Sequence, residues 1–398
     1  MRPTKNSQMR RQHAGFAIML GGIALMMSSA SAPSPFYPVL QSELGFSNAI
    51  MTAIFAVYAI ALLCTLLVTG ALSDHVGRRP VLSVGFLLLA LAALLFWRAE
   101  SVPQLLVARA IQGVACGLLL STLSATAVDL EPRNRPGAAA VWNSILPFVG
   151  LAAGAMASGI VMDFGPAPKA EIFGGLVLLS LIFAGAVWLP PETAPRHEGL
   201  WRALRPRLGL PISARAAFWR GAPAIFAGWA TAGLYLSLGA PIVAHIFDMP
   251  NFIMQASVVT VLSGTGAAAC FIAQPYPARQ VMLYGTSALA AGTALTMGGI
   301  ALQSLPLYLV ALLIAGTGFG TCFYGAMRTL VPLAAPDERS ELFASIFTLS
   351  YLAFGVPTVV AGTLLSHFSL RETASGYGAV IVVTAVTAGL WRRFGTTD

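Results

Sequence analysis

Charge is scarce in this chain: 10% of its 398 residues are Asp, Glu, Lys or Arg, against roughly 25% in soluble domains. Lysine is almost missing. Lys5 and Lys169 are the only two, and neither follows a glycine. A phosphate-cradling loop needs Gly-Lys-Ser/Thr, so ATP-driven chemistry of that kind is excluded within the chain. Cysteine is limited to Cys64, Cys116, Cys270 and Cys322, each inside a long apolar run and none at metal-ligand spacing from another. They read as small packing residues. The five histidines fall at the ends of such runs or between them, which argues against zinc or haem. No cluster of His, Asp or Cys shares one depth, so nothing supports an enzyme, a metal site or a cofactor. None of the fifteen acidic residues lies deep inside an apolar run.

Apolar sequence dominates instead: 57% of residues are hydrophobic and the mean hydropathy is +0.77. No water-soluble fold of this length hides so much apolar surface, so the bilayer is the solvent. A membrane-crossing helix needs about 20 apolar residues. Twelve nearly uncharged runs of that order occur, at 14–33, 49–70, 81–97, 103–126, 138–162, 172–190, 222–244, 253–273, 281–301, 305–327, 342–366 and 375–391. A membrane β-barrel would show alternating strands of about ten residues, and these runs are longer and continuous. The fold class is an all-α membrane protein of twelve transmembrane helices. The first run is too long for a cleaved signal peptide and ends in Ala32-Pro33-Ser34-Pro35, so it is expected to be retained.

Lys and Arg are kept on the cytoplasmic side of a membrane. With both termini inside, nineteen basic residues fall in cytoplasmic segments and three, Arg98, Lys169 and Arg371, in outer ones, leaving Arg109 within a span. This ratio supports a multi-pass protein of the bacterial inner membrane with cytoplasmic termini. It also accounts for the net charge of +8 without nucleic acid as a partner.

The longest polar segment, 191–220, carries Pro195, Pro206, Pro211 and six arginines. It divides the runs six and six, into an N-terminal bundle at 1–190 and a C-terminal bundle at 221–398. The segment either lies on the membrane surface, drawn by anionic lipid, or is a solvated linker. The halves are related. Shifted by 203 positions, Leu106–Leu130 matches Leu309–Leu333 at nine of 25 positions, including Gly113 and Gly117 against Gly316 and Gly320. Small residues four apart let helices approach closely, so the same packing role is expected in both halves. The arrangement is two pseudo-symmetric six-helix bundles, with a substrate site near the midplane between them.

Three motifs carry more specific information. Between spans 2 and 3 stands Gly70-Ala-Leu72-Ser-Asp74-His-Val-Gly77-Arg78-Arg79. Gly70 is expected to permit close helix contact, Gly77 a turn, and Asp74 a pairing with arginines or the capping of a facing helix. Span 4 contains Arg109-Ala-Ile-Gln112-Gly113; an arginine within the membrane costs about 2.5–3.5 kcal/mol on insertion scales, so it faces a partner or a wet cavity, or snorkels. Span 5 contains Gly150-Leu-Ala-Ala-Gly154-Ala155-Met-Ala-Ser158-Gly159. The first motif matches the signature of the major facilitator superfamily, and the chain resembles its bacterial twelve-helix efflux branch for drugs or metabolites. The second motif resembles the Arg-x-x-Gln-Gly of the family's proton-driven antiporters. The third resembles their Gly-x-x-x-Gly-Pro-x-x-Gly-Gly, with Ala155 in place of proline and Ser158 in place of a glycine. The second-half counterpart of the first motif, at Pro275-Tyr-Pro-Ala-Arg279, keeps little but a basic residue.

The resemblance implies alternating access, with the first motif latching the halves together when the outer side is open. It also implies a cavity lined mainly by spans 1, 4, 7 and 10. Those spans and their neighbours offer Ser28, Ser31, Tyr58, Gln112, Asn143, Trp229, Tyr235, Tyr324 and Tyr351 beside Arg109, a set suited to a neutral or weakly anionic amphipathic molecule. The implied function is efflux of a small organic molecule by proton antiport, by a monomer working without ATP. Uptake of a small nutrient such as a sugar or organic acid, or a receptor or scaffold role, are the alternatives. Many proton-driven relatives use a buried carboxylate. Here either a boundary acid such as Asp129 or Asp163 reaches the cavity, or Arg109 couples through substrate or water, or transport is uncoupled.

Overall fold

A computed structural model describes residues 5–70, 72–194, 209–335 and 338–394. It is helical throughout, with no strand among the described residues. The first span is α1 (Lys5–Ser31) continued, after a break, by α2 (Tyr37–Leu44). There follow α3 (Asn48–Thr69), the short α4 (Leu72–Val76), α5 (Arg78–Trp97), α6 (Val102–Asp129), α7 (Ala138–Phe164) and α8 (Pro168–Ala186). The second half holds α9 (Ile212–Pro241), extended by a π-helical turn at Ile242–Ile246, then α10 (Phe252–Ile272), α11 (Ala278–Ala301), α12 (Leu305–Leu330), α13 (Arg339–Leu364) and α14 (Leu370–Phe394).

All twelve expected spans are helices. Eleven are apolar and long enough to cross a membrane by composition; α11 is not among them. Its Gly285, Thr286, Gly292, Thr293 and Thr296 dilute its hydropathy, but they are buried in the bundle. A Cβ at Gly292 would stand 2.3 Å from the Ala315 nitrogen on α12. Small residues here serve helix contact instead of lipid contact. α9 begins at Ile212, ten residues before the expected span, so part of the 191–220 segment is helical. The expected surface-lying stretch falls largely on 195–208, outside the described residues.

Local chemistry sets the helix ends. Pro103, Pro168 and Pro306 stand in the first turns of α6, α8 and α12, where a missing N–H costs nothing. Ser47 caps α3 by accepting from the Ile50 N–H at 3.4 Å. Gly77 and Gly137, at φ +117° and +87°, make the turns into α5 and α7.

Within the first half α3 and α5 pack on α6, α1 on α7 and α5 on α8. Six spans later the same pairs recur: α10 and α11 on α12, α9 on α13 and α11 on α14. The halves meet along α7 with α10 and along α3 with α13, again two equivalent pairs. A belt of exposed Leu, Val, Ile and Phe covers the outside. Twelve crossings place both chain ends on one face, called here the terminal face; the other is the distal face.

Candidate functional site

Near the distal face the first helix breaks. Pro33 has no N–H, so the Ser29 carbonyl loses its normal partner four residues on. Gln112 of α6 supplies the replacement: its Nε2 donates to the Ser29 carbonyl at 2.8 Å and to Ser29 Oγ at 3.1 Å. Arg109, one turn earlier, donates to the Ala30 carbonyl at 3.3 Å, to the Tyr37 hydroxyl at 2.6 Å and to Gln112 Oε1 at 2.6 Å. Two residues of one motif thus hold both sides of the break.

Arg109 is 1% exposed. It does not snorkel. The rings of Tyr37, Phe55, Tyr58 and Phe96 surround its guanidinium with centroids 5.1–5.5 Å away. Among the described residues no carboxylate pairs with it, and its Nη2 has no hydrogen-bond partner. Charge-assisted hydrogen bonds and ring faces offset part of the burial cost. Tyr37 was not legible as its partner from sequence, although Pro33 and Pro35 mark a break that needs donors.

Tyr58 leads from this cation toward the second half. It hydrogen-bonds the Cys116 thiol and lies close to Tyr351 of α13. Tyr351 packs on Trp229 of α9 at 4.9 Å, and Trp229 meets Phe323 and Phe354 edge-on at 5.6 and 6.5 Å. Down one face of α13, Phe343, Phe347 and Tyr351 stack at about 6.4 Å. Arg109, Gln112, Tyr58, Trp229 and Tyr351 are therefore brought together; Phe323, Phe343 and Phe347 join them, and the four-residue spacing along α13 was the available signal. Tyr324 of α12 lies under the Arg328 guanidinium at 5.4 Å and packs against the small cluster of Ile145, Ala267 and Cys270. Asn143 bonds the Ser124 carbonyl at 3.3 Å, with its Oδ1 buried and unpartnered.

Five residues expected at the site or in its motifs stand otherwise: Tyr235, Gly113, Gly70, Ser28 and Ser31. Tyr235 points into the second bundle, sharing a hydrogen with Thr296 at 2.8 Å and packing on Tyr308; the helical register of α9 turns it away from Trp229. Gly113 is a contact point: a Cβ there would stand 2.5 Å from the Tyr58 carbonyl. Its neighbour Gly117 abuts Leu62 and Thr65 of α3, while Gly316 and Gly320 abut Leu262, Thr265 and Gly266 of α10, so the duplicated glycines do share one packing role. Gly70 is exposed and, among the described residues, approaches no other helix; a Cβ there would meet only Leu66 of its own helix. In the third motif Gly150 and Gly154 seat α7 on α1, where Ser28 Oγ bonds the Gly150 carbonyl at 2.9 Å and Ser31 Oγ bonds Ser28. Those two serines pack α1 on α7.

The first motif forms a network within the N-terminal half. From Leu72, α4 carries Asp74 to Arg78, paired at 2.6 Å; Arg78 also reaches Asp129 of α6 at 3.4 Å and Ser73 Oγ at 2.7 Å. Arg79 donates to the Pro190 carbonyl. Glu192 accepts the Arg78 and Arg79 backbone N–H groups at 2.9 and 3.2 Å. Burial alone would raise its carboxyl, but N–H groups of Ala194, Arg78, Arg79 and Thr193 outweigh it and hold it below the ordinary carboxylate range. Nothing in sequence spacing pointed to Glu192.

The distal face is sealed. Ser31–Tyr37 are all buried, as is α9 from Ala230 to Val243 except Leu236. Ser34 Oγ crosses to the Leu236 carbonyl at 2.9 Å. Asp163 at the end of α7 accepts the Phe252 and Ile253 N–H groups at 3.0 and 2.9 Å. Towards the terminal face α6 and α12 are less covered: Leu120, Ser121, Ser124 and Ala125 of α6 and Phe323, Tyr324 and Met327 of α12 are half-buried, and Val128 is exposed. The two bundles are thus closed at the distal end, with an aromatic wall between them, and their less buried end faces the terminal side.

The profile of the Major Facilitator Superfamily matches residues 19–358. The multidrug resistance protein MdtL of Vibrio parahaemolyticus is 24% identical over 255 residues, covering 56% of this chain and 64% of that protein. MdtL of Shewanella sp. (strain ANA-3) is 28% identical over 149 residues, 37% of each chain. The puromycin resistance protein pur8 of Streptomyces alboniger is 30% identical over 156 residues, 31% of its length. The chain thus spans less than two thirds of the curated relatives it matches. In fold, it is similar to the partially occluded, inward-open xylose transporter XylE from E. coli, with a TM-score of 0.75 over 97% of this chain and 98% of that one at 14% identity.

Proposed function

The chain belongs to the major facilitator superfamily of transporters, and from that premise we propose that it exports a small organic molecule across the bacterial inner membrane by alternating access, in exchange for protons. Both termini lie in the cytoplasm, so the sealed distal face is the outer one. A cleft between the bundles then collects substrate from the cytoplasm, and a single chain is the working unit because both bundles lie within it.

The aromatic wall of Trp229, Tyr351, Phe347 and Phe323 carries the substrate reading. Ring faces and edges suit planar amphipathic molecules, and among the described residues no carboxylate stands in that wall to hold a cation. The multidrug and puromycin resistance of the partial relatives favours export over uptake. Proton exchange rests on the Arg109–Gln112 pair, which resembles that of proton-driven antiporters.

Proteoliposomes with the terminal face outward and an imposed pH gradient test this. Puromycin and neutral planar probes are expected to accumulate in the lumen, stop when the gradient is collapsed, and slow about fivefold with Trp229→Ala, because the loss of one stacking face costs on the order of 1 kcal/mol. Accumulation that ignores the gradient removes proton exchange; export of cations alone removes the substrate class.

A further inference from the structure

The first motif has a counterpart in the same half that nothing in the sequence comparison assigns. Gly70-Ala-Leu-Ser-Asp74 follows span 2, and Gly159-Ile-Val-Met-Asp163 closes span 5, so both place Gly four residues before Asp. Each six-helix half of this fold is built from two three-helix units of inverted topology. Spans 2 and 5 occupy equivalent places in those units and end on opposite faces. Each also packs on a partner span of the second half, α3 on α13 and α7 on α10.

Among the described residues, the two Gly-x-x-x-Asp segments are in opposite states. Asp163 grips the second half with both oxygens, on the N–H groups of Phe252 and Ile253 in the first turn of α10. Gly159 lies flat beneath it: a Cβ there would stand 2.6 Å from Ala256 Cβ and 2.9 Å from the Phe252 carbonyl. Asp74 instead pairs with Arg78 of its own segment at 2.6 Å, and Gly70 is exposed. A carboxylate at the start of a helix satisfies orphan N–H groups and opposes the helix dipole. The cap here crosses from one bundle to the other.

We propose that Asp163 is the latch of the distal face, the inverted image of the Asp74 motif: it holds the distal face closed and lets go when Asp74 engages the second half. The latch rests on the alternating-access reading. It makes one residue responsible for a conformational equilibrium, not for substrate contact. Asp163 is therefore a positioning residue for the transport cycle.

Spin labels on Glu100→Cys and Gln303→Cys, both exposed distal-face loop positions in different halves, in a Cys64→Ser background, report opening of that face. Asp163→Asn keeps the shape but loses the charge and one acceptor. It is expected to raise the ratio of long to short distances by about tenfold, the scale of a lost helix cap. Asp163→Glu is expected to restore part of the short population, and Asp74→Asn to move the ratio the other way. Gly159→Leu, a wedge under the same contact, serves if Asp163→Asn does not fold and is expected to open the face as well. A wild-type protein with one distance under every condition overturns the transport reading. Two wild-type populations that Asp163→Asn, or the wedge in its place, leaves unchanged overturn the latch alone.

Discussion

Arg109 shows how one side chain joins an element's defect to the contact between bundles. Pro33 breaks the first helix, Gln112 and Arg109 hold the freed carbonyls, and the held segment reaches the second half through Ser34. The intramembrane cation was legible from sequence because charge is so scarce there. Its box was not, because Tyr37, Phe55 and Phe96 lie on three other helices. Arg109→Ala is expected to reduce the initial transport rate by at least about tenfold, since it leaves buried acceptors unpaired. Arg109→Lys is expected not to restore it, because lysine lacks the planar fork that spans Tyr37, Ala30 and Gln112; near-normal transport by the Lys variant would count against this geometry. Gln112→Leu is expected to cost about 1 kcal/mol or more of thermal stability. That cost should shrink in a Pro33→Ala background, where the backbone N–H gained at that position can serve the Ser29 carbonyl; a double-mutant cycle in detergent measures the difference.

At the scale of elements, the duplicated glycines were legible and Glu192 was not. Glycine pairs repeat in sequence because α6 on α3 and α12 on α10 are the same contact made twice. Gly113→Ala is expected to lower the melting temperature, because its Cβ meets backbone at 2.5 Å. Gly175→Ala, with nothing within 4 Å, is expected to be neutral or to stabilise by up to about 1 kcal/mol; equal effects on melting would remove the packing role. Glu192 is a long-range partner of a loop, and spacing carries no such information. Its carboxyl sits lower in the folded protein than in the unfolded chain, so its contribution is complete above the ordinary carboxylate value. It is lost as pH falls through the depressed folded value. Protection of the Arg78 and Arg79 amides from exchange is therefore expected to be high at neutral pH, to fall only as pH drops below the ordinary carboxylate range, and to be low at all pH values in Glu192→Gln.

For the whole molecule, twelve helices and their two related halves follow from runs of apolar residues, because a bilayer admits only helices or closed barrels and continuous runs of about 20 fit helices. The state of the cleft does not follow from such runs: the same pattern serves a protein closed at either end. Here the closed end is fixed by contacts between distant residues, Ser34 with Leu236 and Asp163 with Phe252. Which side of the membrane that end faces is a separate matter, and the proposed orientation rests on charge. Arg78, Arg79, Arg133, Arg135, Arg215 and Arg220 all sit at the terminal face, and insertion keeps such residues in the cytoplasm. An impermeant thiol reagent added to intact cells is therefore expected to label Glu43→Cys and Gln303→Cys at the distal face, and to spare Arg135→Cys. Cysteines at Ser124 and Phe323, which line the open end of the cleft, carry the stronger test. They are expected to react in inverted vesicles and to be protected in intact cells, with protection weakening in Asp163→Asn as the distal face opens. Labelling of Arg135→Cys from outside would invert the topology. Labelling of Ser124→Cys and Phe323→Cys from outside in the wild type, with the topology upheld, would place the resting cleft on the other side and reverse the direction from which substrate is collected.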